Sequence, residues 1–370
     1  MTTDPGSHLR EPKRGLIILA GALAVAVVTA LVVIGTRPEP PRTTGAIVGG
    51  QSPSASGPVT TAATAPSVPP SAVPSSLPPS PSNSVPPSSA ATSTKPAPAK
   101  TSAKPAAPPA AARPTSFPNA SNTGVRPGVK LKARGDITVT KNGTVLNALD
   151  VTGVITVQAS NVVISNTRVT NSGKADWGIV QTAGASNLVV MDSEIRGNGS
   201  ESMHQGIYNI GGHITVKRTE ISRIADGVAT NRGLIEDCYL HSPQVYDGDH
   251  VDMIQSTEGP PSGASLTIRH NTIINDELQT SAIALFQDFG VARNALIVGN
   301  YLAGGAYTVY GGEGDHGQSS NIRIENNTFG KDVFPKVGQW GPIAHFDANG
   351  PGNTFTGNVF ADTKTPVSLS

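Results

Sequence analysis

The chain has 370 residues, of which 4% are aromatic and 14% charged, and it contains 40 glycines and 31 prolines. This composition is typical of strands and turns joined to low-complexity sequence. Residues 127–370 hold 17 Lys and Arg against 23 Asp and Glu, and the resulting formal charge of −6 argues against a nucleic-acid partner. The single cysteine, Cys238, excludes an internal disulfide.

The first strong pattern along the chain is an uncharged apolar run at residues 15–36, which is long enough to span a bilayer. The apolar residues continue without a small-residue cleavage site, which favours a retained transmembrane signal anchor over a cleaved signal peptide. Basic residues cluster before the run, so residues 1–14 are predicted to be a cytoplasmic tail. The predicted localisation is the cell membrane, with a single pass and an extracellular C-terminal domain.

Residues 37–116 consist mainly of Pro, Ser, Ala and Thr. Such a sequence cannot bury a core, so a disordered linker is predicted. The linker would carry the domain at 117–370 away from the membrane. Its basic residues Lys95, Lys100 and Lys104 could contact an anionic wall polymer, which makes the cell wall a candidate partner.

A repeat dominates the sequence from Ser160 to Phe360, where a phrase of two apolar residues separated by four others recurs eight times. The first apolar residue of each phrase, its anchor, is Ile164, Val190, Val216, Ile235, Ile268, Ile297, Ile324 or Phe355. These mostly β-branched anchors recur at an irregular period with turn residues between them. The pattern indicates a solenoid of strands.

Two further series follow the same period. Three residues after the anchors stand Thr167, Ser193, Thr219, Cys238, Asn271, Asn300, Asn327 and Asn358, which we call the ladder residues. Stacked asparagines can hydrogen-bond from coil to coil. Second strands are predicted around Ile179, Ile207, Val228, Ile254, Ile283, Val309 and Ile343. Parallel strands stacked in this way lie about 4.8 Å apart.

The coil pattern, the asparagine ladder and the sequence GDHVDMIQ resemble the right-handed parallel β-helix, or pectin-lyase-like, superfamily, over residues 117–370. The resemblance implies an all-β fold, a single-stranded right-handed parallel β-helix. The superfamily includes pectate and pectin lyases, polygalacturonases, alginate lyases, mannuronan epimerases, tailspikes and adhesins. The chain is most similar to membrane-anchored or secreted β-helix proteins of actinobacterial type that carry a His-x-Asp-Gly-Ile-Gln phrase. Met253 replaces the glycine of that phrase here.

The candidate chemistry centres on Asp252, which lies two residues before Ile254, and on Asp226, which lies two before Val228. In register, these carboxylates would lie about 5 Å apart on neighbouring strands. Like charges at that distance raise one pKa, so the pair could supply an acid and a base. His250 is a candidate proton carrier beside them. The alternative interpretation is that both aspartates only cap stacked turns.

The neighbouring coils extend the same row with Trp177, Gln205, Ser281 and Tyr307. The predicted substrate-binding residues are Trp177, Gln205, Gln255, Tyr307 and Tyr310, together with a second carboxylate pair, Glu313 and Asp347, at the other end of the strands. Pairs of carboxylates suit glycoside chemistry, and aromatic rings suit sugar rings. Asp247 and Asp249 are candidate metal ligands, and Ca²⁺ is the candidate cofactor because it prefers carboxylate oxygens.

Two functions are compatible with these residues. The first is an extracellular, membrane-anchored enzyme acting on a cell-wall or environmental polysaccharide as a lyase, epimerase or hydrolase. The second is a non-catalytic rod that binds glycan or mediates adhesion. A mildly acidic groove would repel a polyanion unless Ca²⁺ bridges the charges, whereas a neutral or amino-sugar polymer needs no such bridge.

Overall fold

A computed structural model of the protein describes residues 117–246 and 249–369, which form a parallel β-solenoid. Among these described residues there is no helix, and therefore none that is long and apolar enough to cross a membrane. The predicted cytoplasmic tail, signal anchor and linker, residues 1–116, lie outside them. The all-β parallel solenoid is thus confirmed, while the right-handed sense of its coil remains a prediction.

Each full coil contributes one strand to each of three parallel sheets. The anchor sheet contains β3 (Val145–Asn147), β6 (Val163–Ser165), β9 (Leu188–Met191), β12 (Ile214–Lys217), β15 (Gly233–Glu236), β18 (Leu266–Arg269), β21 (Arg293–Val298), β24 (Ser320–Glu325) and β27 (Thr354–Thr356). The second sheet contains β2 (Ile137–Val139), β5 (Ile155–Val157), β8 (Trp177–Gln181), β11 (Gln205–Asn209), β14 (Asp226–Thr230), β17 (Asp252–Ser256), β20 (Ser281–Leu285), β23 (Tyr307–Gly311) and β26 (Gly341–Ala344). The third sheet contains β1 (Lys132–Arg134), β4 (Leu149–Thr152), β7 (Arg168–Thr170), β10 (Glu194–Arg196), β13 (Glu220–Ser222), β16 (Tyr239–His241), β19 (Thr272–Asn275), β22 (Tyr301–Gly304), β25 (Thr328–Phe329) and β28 (Val359–Phe360).

The predicted register is confirmed in two of these sheets. The eight anchors pair in an unbroken series from Ile164 to Phe355. The seven centres of the second strands pair from Ile179 to Ile343 in the same way. Because these residues are almost all fully buried, they stack as the apolar core of the solenoid.

The third sheet was not predicted as a separate set of strands. Its strands have only two to four residues, and in most coils each contributes one residue to the core. Those residues are the second apolar members of the repeated phrase, and they pair in register from Val169 to Phe360. A segment with one apolar residue is too short to show the alternation that identifies a strand in sequence.

A sharp corner joins the anchor sheet to the third sheet. One residue per coil adopts the left-handed conformation there, as at Asn166 (φ 46°) and Asn326 (φ 55°). The following residue is the ladder residue, which turns inward and is buried. Backbone nitrogens of Asn271, Asn300 and Asn327 each donate to the side-chain oxygen of the next asparagine, at 2.9–3.0 Å. The predicted amide ladder is therefore present.

The segment from Phe117 to Arg126 lies along the outside of this corner. The Phe117 ring stacks on His270 with 5.9 Å between ring centroids, and Arg126 contacts Asp192 at 2.7 Å. Asp192 also pairs with Arg218, which is 2% exposed. Burial opposes ionisation of Asp192, but hydrogen bonds from the two arginines outweigh it and lower the pKa of the carboxyl. The segment is thus fixed to the solenoid by an ionised contact.

Candidate functional site

The predicted row of polar residues is present at the start of the second-sheet strands. Gln205 pairs with Trp177 and with Asp226, and Asp252 pairs with Ser281. On each strand the row residue faces outward, because the next residue along the chain faces the core. A Cβ added at Gly178 would lie 3.2 Å from Ile195, and one added at Gly227 would lie 2.8 Å from Leu240, both in the third sheet. Met253 occupies this inward position one coil later and is fully buried in the core.

Asp226 and Asp252 form the centre of the row. The backbone N–H of Asp252 donates to Asp226 Oδ1 at 2.9 Å, so the Asp226 side chain reaches across to the next coil. Ser281 Oγ donates to Asp252 Oδ1 at 2.5 Å. Asp226 is 7% exposed and Asp252 is not exposed at all. The other oxygen of Asp252, Oδ2, is buried, and no described donor reaches it with full hydrogen-bond geometry, although the Gln255 side chain interacts with this carboxyl.

Both carboxyls are held in their protonated form more strongly than ordinary aspartates. Burial, the largest cause, raises the pKa of Asp252 to about 7 although Ser281 and Gln255 oppose the rise. The pKa of Asp226 is raised well above its ordinary value by burial and then by the charge of Asp252. Asp249 and Asp288 are close enough to raise these two pKa values further. Both carboxyls therefore stay protonated to a higher pH than an ordinary aspartate does.

Aromatic rings lie on both sides of the carboxyl pair along the row. Toward the N-terminal coils, Trp177 and Tyr208 have ring centroids 5.8 Å apart. Toward the C-terminal coils, Tyr310 contacts Tyr307 at 5.9 Å and stacks on His345 at 5.5 Å. All of these side chains are partly or fully exposed to solvent. The outer face of the second sheet thus presents rings at two places with a buried acid pair between them.

His204 is a histidine of this region that sequence reasoning missed. Its Nδ1 contacts Asp249 Oδ1 at 2.9 Å, and its backbone oxygen accepts from the Asp226 N–H at 2.6 Å. The side chain is 40% exposed. The available signal was its place directly before Gln205, at the start of the row. Asp249 therefore orients the His204 ring through one of its nitrogens.

His250 lies outside the strand, since β17 begins at Asp252. Its ring is exposed and its Nδ1 contacts Thr280 Oγ1 at 3.4 Å. His250 and Asp252 would point to the same side only if the strand had already begun at His250. Because β17 begins at Asp252, this condition is not met. The role of His250 as proton carrier remains a prediction, with His204 as the better-placed histidine.

The second predicted carboxylate pair lies at the other end of the strands. Glu313 is exposed, and its backbone N–H donates to the carbonyl oxygen of His345. The two carboxyl oxygens of Asp347 accept from Gln318 Nε2 and from the Asn349 N–H, at 3.0 and 2.9 Å. These contacts give Asp347 a local turn-stabilising role, and its part in substrate binding remains a prediction.

Of the two predicted metal ligands, Asp247 lies outside the described residues and Asp249 is paired with His204. Within residues 117–246 and 249–369 no group of three or more His, Cys, Asp or Glu side chains is arranged to hold a metal ion. A Ca²⁺ site that includes Asp247 remains a prediction. Cys238 is buried in the ladder, where burial raises the pKa of its thiol to about 12. An inert structural thiol is the interpretation that this value favours.

Comparison with known proteins adds no relative to this description. The chain matches no protein-family model, no curated protein and no solved structure. The pectin-lyase-like resemblance therefore rests on the coil pattern, the ladder and the sequence GDHVDMIQ.

Proposed function

We propose that this protein acts on a polysaccharide that lies along the outer face of the second sheet. The observation that carries the proposal is the stacked pair Asp226 and Asp252, buried side by side with raised pKa values in the middle of an aromatic row. Perturbed carboxyl pKa values cluster at functional sites, and burial of a carboxyl without full hydrogen bonding costs free energy that the fold must offset.

The two carboxyls take different roles in this proposal. Asp226 keeps some exposure and can reach a bound ligand, whereas Asp252 is closed off and acts on Asp226 through its charge and backbone N–H. Asp226 would thus be the catalytic acid and Asp252 a positioning residue that keeps the proton available at neutral pH. Trp177, Tyr208, Tyr307 and Tyr310 would bind sugar rings on either side, with Gln205 and Gln255 donating to hydroxyl groups.

The test is product release from a panel of polysaccharides by the full chain. Ultraviolet absorbance detects unsaturated products of a lyase, new reducing ends detect a hydrolase, and sugar analysis detects an epimerase. We expect turnover of one substrate class and its loss by about 10²–10⁴-fold in Asp226→Asn, the range for removal of a general acid. Turnover that is unchanged in Asp226→Asn would contradict the assigned role.

A non-catalytic glycan-binding rod is the second candidate, and the complete burial of Asp252 is the observation that favours it. It predicts binding of one glycan without product, with binding reduced by Trp177→Ala and unchanged by Asp226→Asn. Membrane anchoring, an extracellular location and contact with the cell wall belong to the same proposal and depend on residues 1–116. Trypsin accessibility of the solenoid on intact cells would test that location.

A further inference from the structure

The charge of the second sheet distinguishes it from the two other sheets. None of its nine strands contains a Lys or an Arg. The strands of the anchor sheet and those of the third sheet contain residues of both types. Asp226 and Asp252 are the only acidic side chains on its strands, and burial holds both toward their protonated form. A ligand lying along this face therefore meets no strand-borne positive charge.

The loops at the two borders of the second sheet add to this imbalance. From the coil of Trp177 to the coil of Ile343, these loops contain several acids, among them Glu201, Asp249, Asp276, Glu258, Asp288 and Glu313. The basic residues of the same loops are Lys174, Arg223, Arg232, Lys331 and Lys336. Two of these are paired with acids elsewhere, Lys174 with Asp136 and Lys331 with Asp362. The acids thus outnumber the bases on the borders as well as on the strands.

Aromatic rings share this acidic face, and they also attract cations. Trp177 and Tyr208 form one pair of rings, and Tyr307 and Tyr310 form another. A cation over a ring face gains about 0.5–2 kcal/mol, most when it is shielded from water.

We infer that the outer face of the second sheet takes a glycan that carries amino groups and no carboxylates. An ammonium group gains from the carboxylates of the border loops and from the ring faces, while a uronate would be repelled by those carboxylates. This inference rests on the proposed function and names its substrate class.

Of the three reactions, elimination, epimerisation and hydrolysis, only hydrolysis fits such a glycan. β-Elimination and C5 epimerisation both remove a proton next to a carboxylate, so a glycan without carboxylates leaves hydrolysis. In hydrolysis the glycosidic C–O bond breaks and water adds to the anomeric carbon. Asp226 gives a proton to the leaving oxygen, and the attacking water gives one to the solvent. Exchange with solvent then restores the proton of Asp226.

The test compares three oligosaccharides of equal length for binding to the full chain by calorimetry. They are glucosamine oligomers, their N-acetylated counterparts, which lack the positive charge, and galacturonate oligomers. We expect glucosamine oligomers to bind about tenfold more tightly than the N-acetylated ones, equivalent to about 1.4 kcal/mol. This preference should shrink at high salt, and galacturonate oligomers should bind weakest.

Two variants show whether the preference for the amine arises at the outer face of the second sheet. Asp288→Asn should reduce the preference for the amine, while Asp150→Asn, which removes a charge from the third sheet, should leave it unchanged. Equal affinity for all three oligomers, or tighter binding of galacturonate, would overturn the inference. Tight binding of the amine without any product would instead overturn the proposed function and leave the inference standing. Cleavage of polygalacturonate would overturn the inference and leave the proposed function standing.

Discussion

The asparagine ladder and the Asp226–Asp252 pair are both stacks of buried polar side chains, and they differ in how their hydrogen bonds are completed. In the ladder, Asn300 donates to Ile268 and Asn327 and accepts from Asn271, so each amide satisfies its neighbours. In the outward row, Asp226 and Asp252 are both acceptors when ionised and cannot satisfy each other. The ladder stabilises the fold by repetition. The carboxyl pair is a local exception to that repetition, which indicates a function other than stability.

The largest effect is expected from breaking the ladder. Asn300→Ala leaves the buried N–H of Asn271 and the carbonyl of Ile268 without partners, at about 1–3 kcal/mol for each group. We expect the free energy of unfolding to fall by about 4 kcal/mol in urea denaturation. As a control, Asn349→Ala at an exposed turn should change it by less than about 0.5 kcal/mol. A loss in Asn300→Ala no larger than in this control would mean that the ladder contributes little.

A smaller effect is expected at the histidine beside the carboxyl pair. His204→Gln keeps a polar side chain but cannot accept and return a proton near neutral pH. We expect turnover to fall by about 10²-fold, equivalent to about 2.7 kcal/mol, with the free energy of unfolding unchanged. His250→Gln serves as the matched control, since that ring is exposed and contacts Thr280. If His250→Gln has the larger effect on turnover, the roles assigned to the two histidines are reversed.

The smallest effect is expected at the first half of the ladder. Thr167, Ser193 and Thr219 each donate to the carbonyl oxygen two residues before them, and Cys238 Sγ contacts Glu236 O at 3.2 Å in the same way. A serine hydroxyl can make this contact, so Cys238→Ser should change the free energy of unfolding by less than about 1 kcal/mol. Calorimetric melting would measure it. A loss of several kcal/mol would show that the thiol packs in a way that the hydroxyl cannot.

Most of the fold could be predicted from the sequence because the register of a solenoid appears in the sequence as a repeat. The anchors, the second strands and the ladder recur once per coil, so eight weak signals add to one strong signal. The third sheet could not be predicted as strands, since segments such as Arg168–Thr170 and Glu194–Arg196 contribute a single core residue each.

The site was predicted less completely than the fold. Register alone placed Asp226 beside Asp252, with Gln205 before them and Ser281 after them. Register could not show that both carboxyls are buried, because burial depends on loops whose lengths vary from coil to coil. The same variation hid the contact between His204 and Asp249, which lie in loops of different coils.

The proposed chemistry depends most on the raised pKa values of Asp226 and Asp252, and the pH dependence of stability tests them most directly. For a carboxyl whose pKa is higher in the folded state than in the unfolded state, the folded protein binds more protons, so stability falls as pH rises between the two pKa values. The pKa of Asp252 rises from 3.8 to about 7 on folding.

Urea denaturation of the wild type and Asp252→Asn should therefore be followed from about pH 4 to about pH 8. We predict that the wild type loses up to about 4 kcal/mol over this range, at about 1.4 kcal/mol for each unit of pKa shift. Asp252→Asn should lose less and be the more stable protein at the upper end. A wild type whose stability stays constant or rises with pH, together with a variant that is less stable throughout, would contradict the account and leave the two aspartates as caps of stacked turns.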